Sequence, residues 1–297
     1  MEKPLSHYSS LKNTYLNCMT KILVVGGGDL GCEIIQLLAA AGHDLVGVRA
    51  SDKTLANNVS CIQADVTQAA SLKPLENIYP NIIVYCVAAN AQTDDSYRAH
   101  YVDGLKNVLA TQVQNNHLQH VFFVSSTRVY GQVTSDVLNE NVAALPNDYG
   151  GVRLLEAEAL LKTLPCRGTS IRLSGIYGPG RLYMVNMAKN PSRWSPVNKW
   201  TNRIHRDDAA RFIVFLCKKI MTGEVVEGCY IGTDDMPTLQ HDVLCWLAHE
   251  LNIVAPKMNA EAVVGGKRLS NQRMHDAGFL LTYPNYQLGY REVLKGE

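Results

Sequence analysis

No stretch of this chain approaches the roughly 20 consecutive apolar residues that a membrane-spanning helix needs. An excess of charge of one sign is also missing: 28 Lys and Arg stand against 27 Asp and Glu, a net charge of +1. That balance supplies no field to draw in nucleic acid or an anionic membrane. The eight cysteines contain no C-x-x-C and no paired spacing, which argues against a disulfide framework and for a reducing compartment, the cytoplasm. Cys86, Cys217 and Cys245 lie in apolar segments and read as buried thiols. The first 18 residues lack the apolar core of a secretory signal and read as an extension ahead of Met19. There is no internal repeat and no low-complexity tract. His117 and His120 are close but lack a third ligand, so no metal site is expected. What remains is an ordinary globular composition, 297 residues of which 46% are hydrophobic and 19% charged, enough for a sizeable core.

One stretch organises the rest, Lys21 to Arg49. An apolar run, Ile22 to Val25, is long enough for one buried strand. Gly26-Gly27-Gly28-Asp29-Leu30-Gly31 follows, then a helical pattern carrying Ile34, Ile35, Leu37, Leu38 and Ala41, closed by Gly42. A second apolar strand, Leu45 to Val48, ends at Arg49. Strand, glycine turn, helix and strand make one βαβ unit. Gly26, Gly28 and Gly31 satisfy G-x-G-x-x-G in the setting that gives the motif meaning. The first glycine permits the tight turn, the second lets the backbone approach a pyrophosphate, and the third brings helix and strand together. The helix start then presents unpaired N–H groups to phosphate, which makes Asp29 and Leu30 cofactor-site residues as well. An acidic residue at the end of the second strand would hold the ribose 2′-hydroxyl of NAD. Arg49 stands there instead, which suits the 2′-phosphate of NADP, with Ser51 and Lys53 as further donors. The bland alternative is a solvated arginine at a strand end.

Further strand and helix patterns alternate. Strands are expected at Cys61–Ala64, Ile82–Val87, Val121–Val124, Thr169–Leu173 and Cys229–Ile231. Helices are expected at His100–Gln114, Tyr149–Leu164, Ala209–Lys219, Leu239–Leu251 and Arg268–Gly278. The pattern predicts an α/β fold, a Rossmann-type doubly wound parallel sheet with a small C-terminal substrate lobe. Residues 1–18 form the extension. Residues 19–177, with 204–232 returning, form the NADP-binding domain; 178–203 and 233–297 form the lobe. Ligands in such sheets lie beyond the carboxyl ends of the strands. Gly26–Gly31, Ala88, Ser126 and Ser174–Tyr177 fall at those ends. Asp65, with Val66 beside it, either contacts the adenine side of a dinucleotide or caps a helix. Ala88 is small, as close approach to a cofactor requires.

Two segments carry candidate chemistry. Ser126 follows a buried strand in Ser125-Ser126-Thr127-Arg128-Val129-Tyr130-Gly131, and Tyr149 opens a helix in Tyr149-Gly150-Gly151-Val152-Arg153. Helical spacing places Tyr149 and Arg153 on one face. A tyrosine works as acid or base only if its pKa, ordinarily about 10, approaches the working pH, at a cost of about 4 kcal/mol. One cation about 4 Å away supplies that amount at an effective dielectric near 20. Ser126 would hold the substrate oxygen.

With these motifs in place, Lys21 to Leu294 resembles an extended or atypical short-chain dehydrogenase/reductase of the NAD(P)-dependent epimerase/dehydratase group. The glycine motif matches, as does Ser-Ser-x-x-Val-Tyr-Gly at Ser125–Gly131. Tyr-Gly-x-Ser-Lys aligns with Tyr149–Arg153, and Arg172 to Arg181 is similar to the family's Arg-x-x-x-x-Tyr-Gly-Pro-Gly segment. Asn202–Asp208 matches Ile-His-x-x-Asp, and Lys267–Asn271 is similar to a stretch of an atypical subgroup. The resemblance implies Tyr149 and Ser126 as catalytic residues, with Arg153 in place of the family's lysine. It implies Tyr101 where the family has asparagine, with Asp103 as a partial substitute. Arginine keeps the charge of lysine but is planar and a different donor.

The expected activity is an NADP-dependent oxidoreductase or epimerase on a small hydroxyl or carbonyl compound, such as a sugar or nucleotide sugar. The alternative is an NADP(H)-binding regulator or scaffold with a degraded site. The expected partner is a small molecule, with no nucleic acid and no membrane; the resemblance allows a homodimer. Tyr177 either lines the nicotinamide pocket or packs as a core aromatic. His205 is expected to fix its loop and Asp208 to cap the following helix. Arg172 is read as an ion-pair partner. Arg181 and Arg203 either hold a phosphate or carboxylate or form a solvated rim.

Overall fold

A computed structural model of the chain describes residues 20–52, 59–256 and 263–296. The extension at 1–18 and Lys53 lie outside the described residues. The first half runs β1 (Lys21–Val25), α1 (Asp29–Ala40), β2 (Asp44–Arg49), β3 (Ser60–Gln63), β4 (Ile82–Tyr85), α2 (Asp94–Tyr97), α3 (Gly104–Ala110), β5 (His120–Ser126), β6 (Val137–Leu138) and α4 (Tyr149–Leu160). It continues with β7 (Arg167–Leu173), β8 (Gly175–Tyr177), α5 (Tyr183–Ala188), β9 (Trp200–Thr201), β10 (Arg203–His205) and α6 (Arg206–Met221). The chain then forms β11 (Cys229–Gly232), β12 (Thr238–Leu239), α7 (Gln240–Glu250), β13 (Arg268–Leu269), α8 (Gln272–Asp276) and α9 (Tyr286–Lys295).

Seven strands form one sheet in the order β11-β7-β5-β4-β1-β2-β3, and every neighbouring pair is parallel. β4 is buried at every position and β1 at all but its first, as expected of strands covered on both faces. On one face α1 and α6 bury Ile34, Ile35, Leu38, Phe212, Ile213 and Leu216. On the other, α3 and α4 bury Leu105, Val108, Leu154 and Ala157. The chain leaves β1 toward one edge and returns at β4 on β1's other side. The crevice between their carboxyl ends is where such sheets take ligands.

A third core lies in the C-terminal region, where Val185, Trp194, Leu244, Leu247, Tyr290 and Val293 pack together. Residues 272–279 do not join it. Met274 and Phe279 pack with Phe212 against the sheet, so part of the expected 233–297 lobe belongs to the first core.

Several expectations meet different structure. The helix expected from His100 starts at Asp94, capped by Thr93 Oγ1 accepting from Ser96 N at 3.3 Å. It carries a π-helical segment over Arg98–Asp103 before α3. In place of one helix over 268–278, Arg268–Leu269 pairs in parallel with Val137–Leu138, and only 272–276 is helical. The backbone partner at 137–138 wins over helical propensity. α5 and α9 are additions to the expected elements. α9 buries Tyr286, Gly289, Tyr290 and Val293, a helical spacing that the sequence itself carries. Cys217 is buried, whereas Cys86 and Cys245 are half-buried; the seven described cysteines are free thiols. No helix among the described residues is long and apolar enough to cross a membrane.

Candidate active site

A cleft of about 710 Å³ opens at the carboxyl ends of β1, β2, β4, β5 and β7. Its floor is the glycine turn. Gly26 N and Gly27 N both donate to Val48 O, at 2.9 and 3.0 Å, which ties the turn to the end of β2. Gly26 has φ +109°, and a Cβ there would overlap the carbonyl of Cys86. A Cβ on Gly31 would overlap the carbonyl oxygen of Gly26. Gly28 differs: a Cβ there would meet nothing within 4 Å. Two glycines therefore let backbone pack on backbone, and the middle one faces open cleft at the start of α1. A dinucleotide diphosphate needs that cradle, and the residues present fit it.

Gly26, Gly28, Asp29, Leu30, Gly31, Arg49, Asp65, Val66, Ala88 and Ser126 all line this one cleft. Arg49 stands at its β2 end beside Ala50 and Ser51. Asp65 Oδ1 accepts from Thr67 N at 2.9 Å and Thr67 Oγ1 at 2.8 Å, so it closes the turn after β3. Asn107 Nδ2 donates to Val66 O at 2.9 Å and holds that turn against α3.

Tyr177 is elsewhere. Its ring is 3% exposed and lies 4.3 Å from Tyr290 and 5.3 Å from His205, centroid to centroid. Gly289 of α9 leaves room for its hydroxyl, since a Cβ there would overlap it. Burial pushes the phenol upward in pKa. Of the two readings, Tyr177 is the core aromatic, because α9 covers it. Arg203 is also inside rather than on a rim, 4% exposed and over the ring of Tyr286. Arg181 does line the cleft.

Tyr149 and Arg153 are not among the residues lining the cleft. Tyr149 is half-buried at the start of α4, and its hydroxyl donates to Gln92 O at 2.6 Å. The expected partnership with Arg153 is absent. Arg153 turns to Asp94 instead, with Nε–Oδ1 at 2.7 Å and Nη2–Oδ2 at 2.8 Å, and binds Glu156 at 2.8 Å. Asp94, ahead of Glu156, holds it firmly protonated. The cation facing Tyr149 is Arg128, whose Cζ lies 5.1 Å from the Tyr149 ring centroid and 4.9 Å from that of Tyr97. Asp148, the cap of α4, holds Arg128 Nε at 3.0 Å from both its oxygens. Arg128 Nη1 donates to Tyr97 OH at 2.7 Å and to Gln92 Oε1 at 3.1 Å. The sequence carries a signal for this arrangement. Gly150 and Gly151 weaken the first turn of a helix, and a Cβ on Gly150 would come within 2.5 Å of Arg128 Cζ.

The π-helical segment decides the neighbouring positions. Tyr101 faces the cleft and its hydroxyl accepts from Ala89 N at 3.4 Å. Burial pushes its pKa up. Asp103 faces outward to Arg98 at 3.7 Å, so it does not replace the family's asparagine in the cleft. His100 and Asn90 also line the cleft; no pattern in the sequence marks them.

The strand carrying Ser126 is braced from behind. Ser125 Oγ donates to Glu158 Oε1 at 2.7 Å, Glu158 pairs with Arg172 at 2.6 Å, and Arg172 Nη1 donates to Tyr130 OH at 2.7 Å. Arg172 is thus the expected ion-pair partner. Lys267 Nζ donates to Thr127 O at 2.7 Å and also to Tyr130 O, fixing the turn after Ser126. His205 caps α6, its Nδ1 accepting from Asp207 N at 3.2 Å. Asp208 does not take the capping role expected of it. It accepts from Thr282 N at 2.9 Å and Tyr283 N at 2.7 Å, holding the turn before α9. Among the described residues no group of three or more His, Cys, Asp or Glu is placed to hold a metal ion.

The family model for NAD-dependent epimerases and dehydratases matches residues 22–232. The chain belongs to this family. It is an enzyme of the epimerase/dehydratase type, and the family works with a nicotinamide coenzyme. A chain from Methylobacillus flagellatus, described as a candidate NAD-dependent epimerase/dehydratase, is 44% identical. That match covers 94% of this chain and 98% of the other, with a TM-score of 0.86. UDP-glucose 4-epimerase from Thermus thermophilus, in complex with NAD, is 16% identical over 93% of this chain and 98% of its own, at a TM-score of 0.76. The Bordetella bronchiseptica enzyme WbmG, in complex with NAD and UDP, is 16% identical over 92% and 93%, at 0.76. At such identities the last two show the shared fold alone. No protein of curated function matches the chain.

Proposed function

We propose that this epimerase/dehydratase-family enzyme uses NADP to act on a small hydroxyl or carbonyl compound, with a sugar or nucleotide sugar as the substrate class. The observation that carries the reading is the cleft itself. It unites the glycine cradle, Arg49 at the end of β2 and Ser126 at the end of β5. Gly28 and the start of α1 would hold the diphosphate, and Arg49 with Ser51 the 2′-phosphate. Ala88, with no side chain beyond Cβ, would leave space for the nicotinamide ribose.

A bound nicotinamide supplies the place to which a hydride goes and from which it returns. The chain's own residues handle the proton. Ser126 Oγ orients the substrate oxygen, and Tyr149 Oη takes the proton from that oxygen or returns it. To do so, the hydroxyl exchanges its bond with Gln92 O for one with substrate. Arg128 faces the phenol and favours the charge that develops there. The cytoplasm is the compartment in which such a substrate and free thiols coexist.

A second reading, an NADP(H)-binding regulator without turnover, has one observation in its favour. The phenol is bonded to a backbone carbonyl and the expected cation is tied to Asp94. One experiment separates the two. The protein is titrated with NADPH and NADH, then assayed with a panel of nucleotide sugars and carbonyl compounds. Net hydride transfer is read at the nicotinamide absorbance band. Epimerisation, which returns the hydride and leaves the coenzyme unchanged, is read by chromatography of the products. The proposal expects tighter NADPH binding, substrate-dependent turnover, and loss of that turnover in Tyr149→Phe with binding retained. Preferential NADH binding removes the role of Arg49. Tight binding without turnover across the panel supports the regulator.

A further inference from the structure

The mouth of the cleft is crossed by an ion pair between residues 152 apart in sequence. Arg181 Nε lies 2.5 Å from Asp29 Oδ2, and both residues line the cleft. Asp29 is in the first turn of α1, directly after the open glycine. A carboxylate stabilises a helix start, but here it stands where a diphosphate would bring further negative charge. Two arginines restrain it. Arg206 Nη1 reaches Asp29 Oδ1 at 3.1 Å, while its Nη2 pairs with Asp207 at 2.8 Å and Glu33 at 3.6 Å. Arg206 is therefore held by three carboxylates and is only 18% exposed. Arg181 is different. Its one ion pair among the described residues is with Asp29, and it is 38% exposed. It sits at the end of a four-residue turn closed by Arg181 N donating to Gly178 O at 3.0 Å.

We infer that Arg181 is a coenzyme strap, whose guanidinium rests on Asp29 across the cleft mouth and transfers to the diphosphate of an entering dinucleotide. The inference rests on the glycine turn being the dinucleotide site. The fork of an arginine matches phosphate oxygens as well as it matches a carboxylate. A diphosphate at the start of α1 carries more charge than Asp29, and it competes for Arg181, which among the described residues has no second carboxylate to leave. Asp29 thus acts as a placeholder. It keeps Arg181 poised over the mouth and weakens coenzyme binding by the strength of the pair that must be broken. Arg206 stays with its other carboxylates and keeps Asp29 from turning into the cleft.

A strap and a purely structural bridge predict different signs. If the pair only ties the two regions together, Arg181→Gln and Asp29→Asn break the same contact and weaken coenzyme binding alike. If Arg181 moves to the phosphates, Arg181→Gln loses a coenzyme contact, whereas Asp29→Asn releases the strap and removes a repelling charge. NADPH is titrated into the full-length protein and both variants by calorimetry, with the melting temperature of each apo protein as a check on folding. The expected result is about tenfold weaker binding for Arg181→Gln, the size of one charge-assisted contact. Asp29→Asn is expected to bind at least threefold more tightly than wild type. Unchanged binding in Arg181→Gln, or weaker binding in Asp29→Asn with an intact fold, overturns the strap alone. A wild-type protein that binds neither NADPH nor NADH overturns the dinucleotide site and the strap with it.

Discussion

Arg128 lies over the ring of Tyr149, 5.1 Å from its centroid, although Arg153 is the arginine that shares a helix face with it. Asp94 takes Arg153 in a two-pronged pair. Asp148 sets Arg128 in the space left by Gly150. The helix cap, the bare first turn and the cation form one unit at the phenol.

That arrangement ranks the two arginines. Arg128→Met is expected to lower kcat about 100-fold, the scale of losing one positioned electrostatic group. Arg153→Met should change kcat less than tenfold and leave the protein folded, as for a screened surface pair. Steady-state rates of product formation, with thermal melts of both variants, provide the comparison. A greater loss in Arg153→Met would reverse the assignment.

The glycine turn makes a second contrast. Gly31→Ala drives a methyl into the carbonyl of Gly26. Main chain must shift, at a cost of about 3 kcal/mol. Gly28→Ala meets nothing within 4 Å, so its melting temperature should fall by only a few degrees. Its NADPH affinity should nonetheless fall more than tenfold, because the added methyl occupies the side from which the diphosphate approaches. Calorimetric titration beside a thermal melt tests both; wild-type affinity in Gly28→Ala would mean the coenzyme lies elsewhere.

Asp234 is 1% exposed, and burial, opposed by the nearby Arg203 cation, raises its carboxyl to about 7. The folded pKa is above the unfolded one, so the folded state binds the extra proton between about 4 and 7. Its contribution to stability is full below about pH 4 and is lost as pH climbs through about 7. The whole span is worth about 4 kcal/mol at most. Asp234→Asn should therefore flatten the decline in denaturation free energy between about pH 4 and 7 relative to wild type. Parallel slopes for the two proteins would show that Asp234 is ionised throughout.

Much of the scaffold is legible in the residues alone. β1 and β4 read as unbroken apolar runs because a strand covered on both faces has no polar side to show. The glycine spacing marks the turn because backbone must pack there on backbone, which a side chain forbids. Ser126, Arg49 and Ala88 follow from standing at strand ends, where a parallel sheet has its crevice. α9 is harder to see although its buried residues recur at helical spacing, because Tyr283-Pro284 just ahead of it has the look of an end to regular structure.

Local spacing along the chain determined the strand–turn–helix unit, the order of alternating elements and the set of strand-end residues, since each depends on neighbours within a few positions. It also placed Tyr149 and Arg153 on one helix face, which is as far as periodicity reaches. Which cation meets the phenol was decided by Asp94, 59 residues from Arg153, and by the packing of the turn after β5 against Gly150. The same holds for Tyr177, covered by a helix more than 100 residues later, and for Arg181, held by a carboxylate 152 residues earlier in the chain. Long charged side chains go to whichever partner the folded chain brings within about 3 Å, and only the tertiary structure sets which partner that is.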